Sequence, residues 1–304
     1  MVAGLLVATL RMTTPILFAA VGETITERSG VLNLGMEGIM LMGAIAGFIA
    51  TFTTGNPWMG VLAAMLVGGL IGLIHAILSI SLGVNQVVSG VSLTIFGMGM
   101  STYIYRAYFG ALPVPPSIEP FKVLTVPVLS GIPFIGPFLF QAYLLTYISL
   151  FLVVFFQFFL FKTRWGLRIR AVGENPEASD TAGIKVLLLR YVCVILGSML
   201  AGIGGAFLPL AIVKFFMPMM TAGRGWIAVA VVIFGRWIPV RVLGGALLYG
   251  FVDALQLRLQ AVGIGIPYQF FLMAPYLVVV LALTVVGRKM KPPKGLAIPY
   301  KRGE

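Results

Sequence analysis

The chain has 304 residues, of which 60% are AVILMFWYC and 10% are DEKR, against about 45–50% apolar and 25% charged in soluble domains. A folded chain of this length buries about 75% of the surface its unfolded form exposes, so the excess of apolar side chains must face lipid rather than water. The formal net charge is +12, and the single His75 and single Cys193 supply no zinc cluster, disulfide framework or His-dependent triad.

Apolar segments recur at 1–22, 36–54, 57–82, 86–106, 139–161, 187–208, 224–240, 242–262 and 267–286. Stretches of about 20 such residues cross about 30 Å of hydrocarbon as helix. The expected architecture is therefore all-α, a polytopic transmembrane helical bundle of about nine segments forming one domain over 1–304. Six basic residues lie in 162–190 (Lys162, Arg164, Arg168, Arg170, Lys185, Arg190) and six from 288 onward (Arg288, Lys289, Lys291, Lys294, Lys301, Arg302). That clustering fits the positive-inside rule better than a nucleic-acid surface, and it places the loop 162–186 and the tail 287–304 in the cytoplasm. Alternation then puts 107–138 and the N-terminus outside. The loop 107–138 carries Pro113, Pro115, Pro116, Pro120, Pro127, Pro133 and Pro137, which favours extended backbone.

Polar residues inside apolar segments mark the places where a bilayer protein needs a reason for their cost. The run from Gly22 to Gly38 (GETITERSGVLNLGMEG) is charged and Gly-punctuated. With 1–22 as a full span, this run is a short cytoplasmic loop and Arg11 lies near the bilayer centre. With Arg11 at the outer interface, the first segment is discontinuous or re-entrant, 12–22 is only about 16 Å long, and Glu23 to Gly38 lie at mid-membrane. Glycines at four-residue spacing follow, at Gly43/Gly47, Gly68/Gly72 and Gly197/Ala201/Gly205, and predict close helix packing. Asn85 and Gln86 open the fourth segment in a capping arrangement. Asn175-Pro176, then Glu177 to Ala182, then Gly183 read as a short helix with a cap, a first-position proline and a terminal glycine. Seven residues are too few to hold a helix alone, so its own loop or a docked partner must support it. Asp253, Gln256 and Gln260 share one helical stripe, with Arg258 off it. His75 and Cys193 read as packing residues. The segments ending in Ile95-Phe96-Gly97 and Ile233-Phe234-Gly235 are a faint internal echo of the kind repeated transporter halves show. The chain has no G-x-x-x-x-G-K-[ST] sequence to cradle ATP phosphates.

Three runs, Gly22 to Gly38, Gly173 to Val186 (GENPEASDTAGIKV) and Gly223 to Pro239 (GRGWIAVAVVIFGRWIP), resemble the signatures of ABC-importer permeases of the nucleoside and simple-sugar type. Ribose and branched-chain amino acid permeases are more distant relatives. The resemblance covers nearly the whole chain, and the ERSGVLNLGMEG form looks closest to the nucleoside branch. It implies that Gly173, Glu174, Asn175, Ala178, Ala182, Gly183 and Ile184 form the contact with a cytoplasmic ABC ATPase; Ser179 stands where relatives usually have a second Ala. It further implies a second, related permease subunit in a heterodimer and an extracellular substrate-binding lipoprotein. The chain itself would bear no cofactor and no enzymatic activity, ATP and Mg being used by the partner ATPase. For the path of a nucleoside or sugar, the polar groups beside Gly-rich backbone are Asn33, Glu37, Asn85 and Gln86.

Two other classes compete. An ion-coupled secondary transporter would use intramembrane carboxylates, for which Glu23, Glu27, Glu37 and Asp253 are candidates, but it leaves the capped loop helix without a role. A membrane-embedded enzyme would need a nucleophile–base pair or metal constellation, and none emerges.

Overall fold

A computed structural model describes residues 2–110, 114–125, 141–262, 267–287 and 291–300. Helix α1 runs Val2–Arg28, α2 Met36–Thr54 and α3 Pro57–Ala76, the last prolonged by a π-helical turn at Ile77–Ser81. Helix α4 is Gln86–Phe109, and after short strands β1 (Val123–Thr125) and β2 (Gln141–Tyr143) come α5 (Leu144–Lys162), α6 (Arg164–Glu174) and α7 (Pro176–Thr181). Helix α8 (Val186–Phe207) continues as a π-helical turn at Leu208–Val213, followed by α9 (Arg224–Phe234), α10 (Pro239–Ala261) and α11 (Tyr268–Gly287). The strands pair antiparallel with Leu124 opposite Ala142. The described part of 107–138 has no helix beyond Phe109, as the prolines there require; the remainder lies outside the described residues.

Among the described residues, seven helices are long and apolar enough to cross a membrane, and Arg224–Phe234 is a shorter apolar helix. The segment expected at 224–240 is corrected in its extent. Its helix has 11 residues, about 16 Å at 1.5 Å per residue, and closes at Gly235. Arg236 and Trp237 follow with φ 53° and 56°, and Pro239 opens the next helix. Apolar character persists through this turn, so hydropathy alone joins what the backbone separates.

The first segment is also longer than expected. Helix α1 continues through Glu23 and Glu27 to Arg28, so the short span of 12–22 is not formed. From Arg11 to Arg28 the helix covers about 26 Å, which lets Arg11 sit near one end while Tyr143 covers its guanidinium at 5.3 Å. The segment after it lies alongside α8. Gly30 meets Arg190, and Asn33 reaches Ser198 on α8, eight residues and about 12 Å further along that helix. The non-helical stretch Ser29–Gly35 therefore runs beside the first half of a span.

Helix α8 is the centre of the bundle and packs along α1, α2 and α3. The expected small-residue positions lie at those contacts. A Cβ on Gly43 would stand 2.4 Å from the carbonyl oxygen of Gly202, one on Gly68 2.5 Å from that of Ser198, and one on Gly205 1.9 Å from that of Met40. Backbone meets backbone at these crossings, where dispersion contacts substitute for the hydrophobic drive that lipid does not supply. The echo between the fourth and seventh segments does not extend to the elements, since one opens a helix of 24 residues and the other a helix of 11.

Gly205→Ala is expected to lower the thermal unfolding midpoint of the detergent-solubilised protein, because the Met40 carbonyl cannot yield as a flexible side chain would; overpacking of this kind costs about 1–3 kcal/mol. Gly99→Ala, with nothing within 4 Å of the added carbon, should leave the midpoint unchanged. Equal midpoints for both variants would remove the close crossing from the account of stability.

Candidate functional site

Two regions carry the polar residues singled out above. The first is a buried node where the stretch 29–35, the start of α2 and the start of α9 meet. Asn33 is fully buried; its N–H donates to Glu23 Oε1 at 2.9 Å, its side-chain oxygen accepts from the Gly35 N–H at 2.9 Å, and its amide donates to Ser198 at 3.4 Å. Gln86, also buried, accepts from the Leu32 N–H at 2.8 Å. His75 lies 3.0 Å from the Leu32 carbonyl through Nε2 and 3.1 Å from the Ser89 hydroxyl through Nδ1. It is thus more than the packing residue expected, because its partner is a carbonyl 43 positions away that helical spacing cannot reveal. Cys193 is buried in the core as expected. The indole N–H of Trp237 donates to Glu27, and Arg28 Nε donates to the Trp237 carbonyl at 2.9 Å.

Glu37 closes the node from the other side. One carboxylate oxygen accepts from the Thr221 hydroxyl and from the Gly223 N–H at 2.8 Å, and the other accepts from the Gly225 N–H at 2.7 Å. These donors surround the N-terminus of α9, where unpaired N–H groups and the helix dipole favour an anion. Gly225 must lack a side chain because a Cβ there would stand 2.4 Å from the Glu37 nitrogen. Beside it, Arg224 pairs with Asp253 at 3.1 Å, Gln256 donates to Asp253 at 2.8 Å and Gln260 donates to Gln256 at 3.2 Å. The expected stripe is thus a hydrogen-bonded ladder anchored by Arg224, which the stripe pattern did not include.

Of the four path candidates, the fold brings Asn33, Glu37 and Gln86 around one loop, all buried. Asn85 stays exposed and caps α4, accepting from the N–H groups of Val87 and Val88 at 2.9 and 3.2 Å.

The second region is α6 and α7. Asn175 caps α7 by accepting from the Ala178 N–H at 3.0 Å, with Pro176 at the first position. Gly183 has φ 80°, and the Ile184 N–H donates back to the Ser179 carbonyl at 3.0 Å, a left-handed helix end that glycine permits. Ser179 is buried and its hydroxyl donates to the Asn175 carbonyl at 2.8 Å. Glu174, Asn175, Ala178, Ala182 and Gly183 are exposed, Ile184 is half-buried and Gly173 is buried. A Cβ on Gly173 would stand 2.2 Å from the Arg28 carbonyl oxygen, so the element is seated directly on the end of α1. The described part of the tail completes the seat. The Gly295 N–H donates to the Gly173 carbonyl at 2.8 Å and the Ala297 N–H to the Gly30 carbonyl at 3.2 Å. Buried Arg190 holds the Ser29 and Ile298 carbonyls, each at 3.2 Å.

A family model described as "Branched-chain amino acid transport system / permease component" matches residues 5–288. The chain belongs to this permease family. It is 46% identical over 268 residues to a putative glucose ABC transporter permease of Haloferax volcanii, covering 87% of this chain and 80% of that one. It is 37% identical to a guanosine ABC transporter permease of Bacillus subtilis over 98% of this chain and 96% of that one, and 35% identical to a nucleoside ABC transporter permease of Lactococcus lactis over 94% and 93%. The protein is a multi-pass membrane permease of the ABC type, with the resemblance drawn from the three sequence runs now shown at the level of the family.

In this permease, Glu37→Gln should lower the unfolding midpoint and speed hydrogen exchange at Gly223 and Gly225. An amide carries one acceptor oxygen and no charge where the carboxylate meets three donors, a loss of about 2–3 kcal/mol. Unchanged exchange at those two positions would show that Glu37 does not hold the start of α9.

Proposed function

We propose that this permease is half of an alternating-access pathway for nucleosides in an ATP-driven importer, and that α7 is where a cytoplasmic ATPase docks. The observation that carries the docking role is the pairing of an exposed, capped six-residue helix with a buried seat. A helix this short gains little stability from itself, yet the end of α6 that leads into it rests on α1 through Gly173, and Gly295 of the tail lies against both Gly173 and Pro176. Exposed Glu174, Asn175, Ala178, Ala182 and Gly183, with Ile184 at the edge, form the contact face. The partner must prefer one permease conformation over another for ATP binding to move the bundle. ATP and Mg would belong to that partner, which on this reading works with a heterodimer of permeases and an extracellular binding lipoprotein. The basic end, with α6, α7 and the tail, faces the cytoplasm, and the N-terminus faces outward.

Asn33, Glu37 and Gln86 serve the path by fixing the backbone that borders it, and Asn85 by capping α4 at its mouth. The nucleoside assignment is supported by two relatives named for guanosine and nucleosides that match over nearly the full length. A glucose permease at 46% identity supports simple sugars as the second reading.

Proteoliposomes holding the reconstituted complex, with ATP inside or outside and labelled guanosine, uridine or glucose, decide between the two. Guanosine uptake that needs ATP on the ATPase side, and is not competed by glucose, is the expected result. Ala178→Glu should cut that uptake about tenfold or more and abolish co-purification with the ATPase, since an unmatched charge in a docking surface costs more than about 1.4 kcal/mol. Glucose uptake would move the assignment to sugars, and full uptake by the Ala178→Glu variant would remove α7 from the coupling contact.

A further inference from the structure

A groove of about 1000 Å³ opens between α5 and α8, on the flank of the bundle beside α7. Ile25 and Cys193 lie at its floor, Phe155 and Phe159 line it from α5, and Leu188 and Val192 line it from α8. Phe155, Leu188 and Val192 are exposed. They belong to helices apolar enough to span a membrane, so the groove opens on an apolar flank of the bundle.

Its polar lining is of one sign. Among the described residues, Arg168 and Lys185 are the charged ones at the groove and no carboxylate lines it; both cations are exposed at the end where α5 gives way to α6. Trp165, 58% exposed, stands at the same end with the Arg168 guanidinium over its ring at 4.8 Å. An amphipathic indole and two cations at the end of an apolar trough match the headgroup level of a bilayer, where aromatic belts and basic residues concentrate.

We propose that this groove binds one anionic phospholipid, its phosphate held by Arg168 and Lys185 and its acyl chains laid between Phe155/Phe159 and Leu188/Val192. The charge of the rim selects this occupant over a zwitterionic lipid, whose phosphate carries its own cation, and over an apolar helix, which brings no anion to the rim. The site does not depend on the coupling role of α7. It adjoins that element, because Ala182, Gly183 and Ile184 form part of the same wall. A bound headgroup would brace the exit of α7 against the start of α8.

The test uses the full permease in phosphatidylcholine vesicles and reads the fluorescence of Trp165, taken as the difference between the native chain and Trp165→Phe. Brominated phosphatidylglycerol should reach half-maximal quenching of that component at roughly tenfold lower mole fraction than brominated phosphatidylcholine, the order that two basic groups at an anionic headgroup supply. Unlabelled phosphatidylglycerol should relieve the quenching and unlabelled phosphatidylcholine should not. The Arg168→Gln/Lys185→Gln double variant should lose the preference while its Trp165 remains quenchable. Equal quenching by both lipids in the native chain would reduce the site to ordinary annular lipid and overturn the proposal. Quenching by neither would show that a protein subunit covers the groove, and would overturn it as well.

Discussion

Backbone that leaves helical geometry within a membrane must find hydrogen-bond partners inside the protein, because hydrocarbon offers none. Two non-helical stretches meet that condition here, Ser29–Gly35 beside α8 and the turn into α9 at Thr221–Gly223. Each is held by side chains from other elements. Glu23 takes the Asn33 N–H, Gln86 takes the Leu32 N–H, His75 bonds the Leu32 carbonyl, and Glu37 takes the Gly223 and Gly225 N–H groups. Without these four side chains the two stretches would carry unpaired peptide groups at a cost of several kcal/mol each, and α2 and α9 would lose the points from which they start.

The same side chains connect the ends of the bundle to its middle. Gly173 rests on the last carbonyl of α1, and Arg190 of α8 grips the Ser29 carbonyl one residue beyond that helix. From there the loop climbs to Asn33, which touches Ser198 on α8, and to Glu37, which holds α9. Arg28 and Arg170 both stack on Phe161, at 5.4 and 5.0 Å, adding a second attachment between α1 and α6. A displacement of α6 and α7 therefore meets packed, hydrogen-bonded contacts at each step to the node. Close-packed interiors of this kind shift between discrete arrangements more readily than they deform.

How much of this was legible in the sequence follows from the range of the interactions. The α7 helix was readable because capping is local: Asn175, Pro176 and Gly183 act within nine residues of one another. The helix crossings were readable because the i, i+4 spacing of Gly43/Gly47 and Gly197/Ala201/Gly205 is itself the packing surface. The extent of the seventh segment was not, since Gly235 to Ile238 turn while remaining mostly apolar, and hydropathy measures apolarity without direction. Nor was the role of His75, whose partners lie at Leu32 and Ser89, or of Arg224, which reaches Asp253 29 positions on. The tail gave only its charge to the sequence reading. Its function in the fold comes from Gly295, Ala297 and Ile298, whose backbone groups meet Gly173, Gly30 and Arg190 more than 100 positions away.

The carboxylates illustrate how burial alone misleads. Glu23, Glu27, Glu37 and Asp253 are all buried, the pattern that suggested ion coupling. Each instead accepts a hydrogen bond from a fixed donor on another element or one turn away: the Asn33 N–H, the Trp237 indole, the start of α9, and Arg224 with Gln256. Glu37 and Asp253 accept from several donors at once, and releasing them to carry an ion would strand those donors in an apolar interior. A carboxylate so engaged lowers the energy of one arrangement of helices. Glu37 and Asp253 act in this way as fasteners between elements.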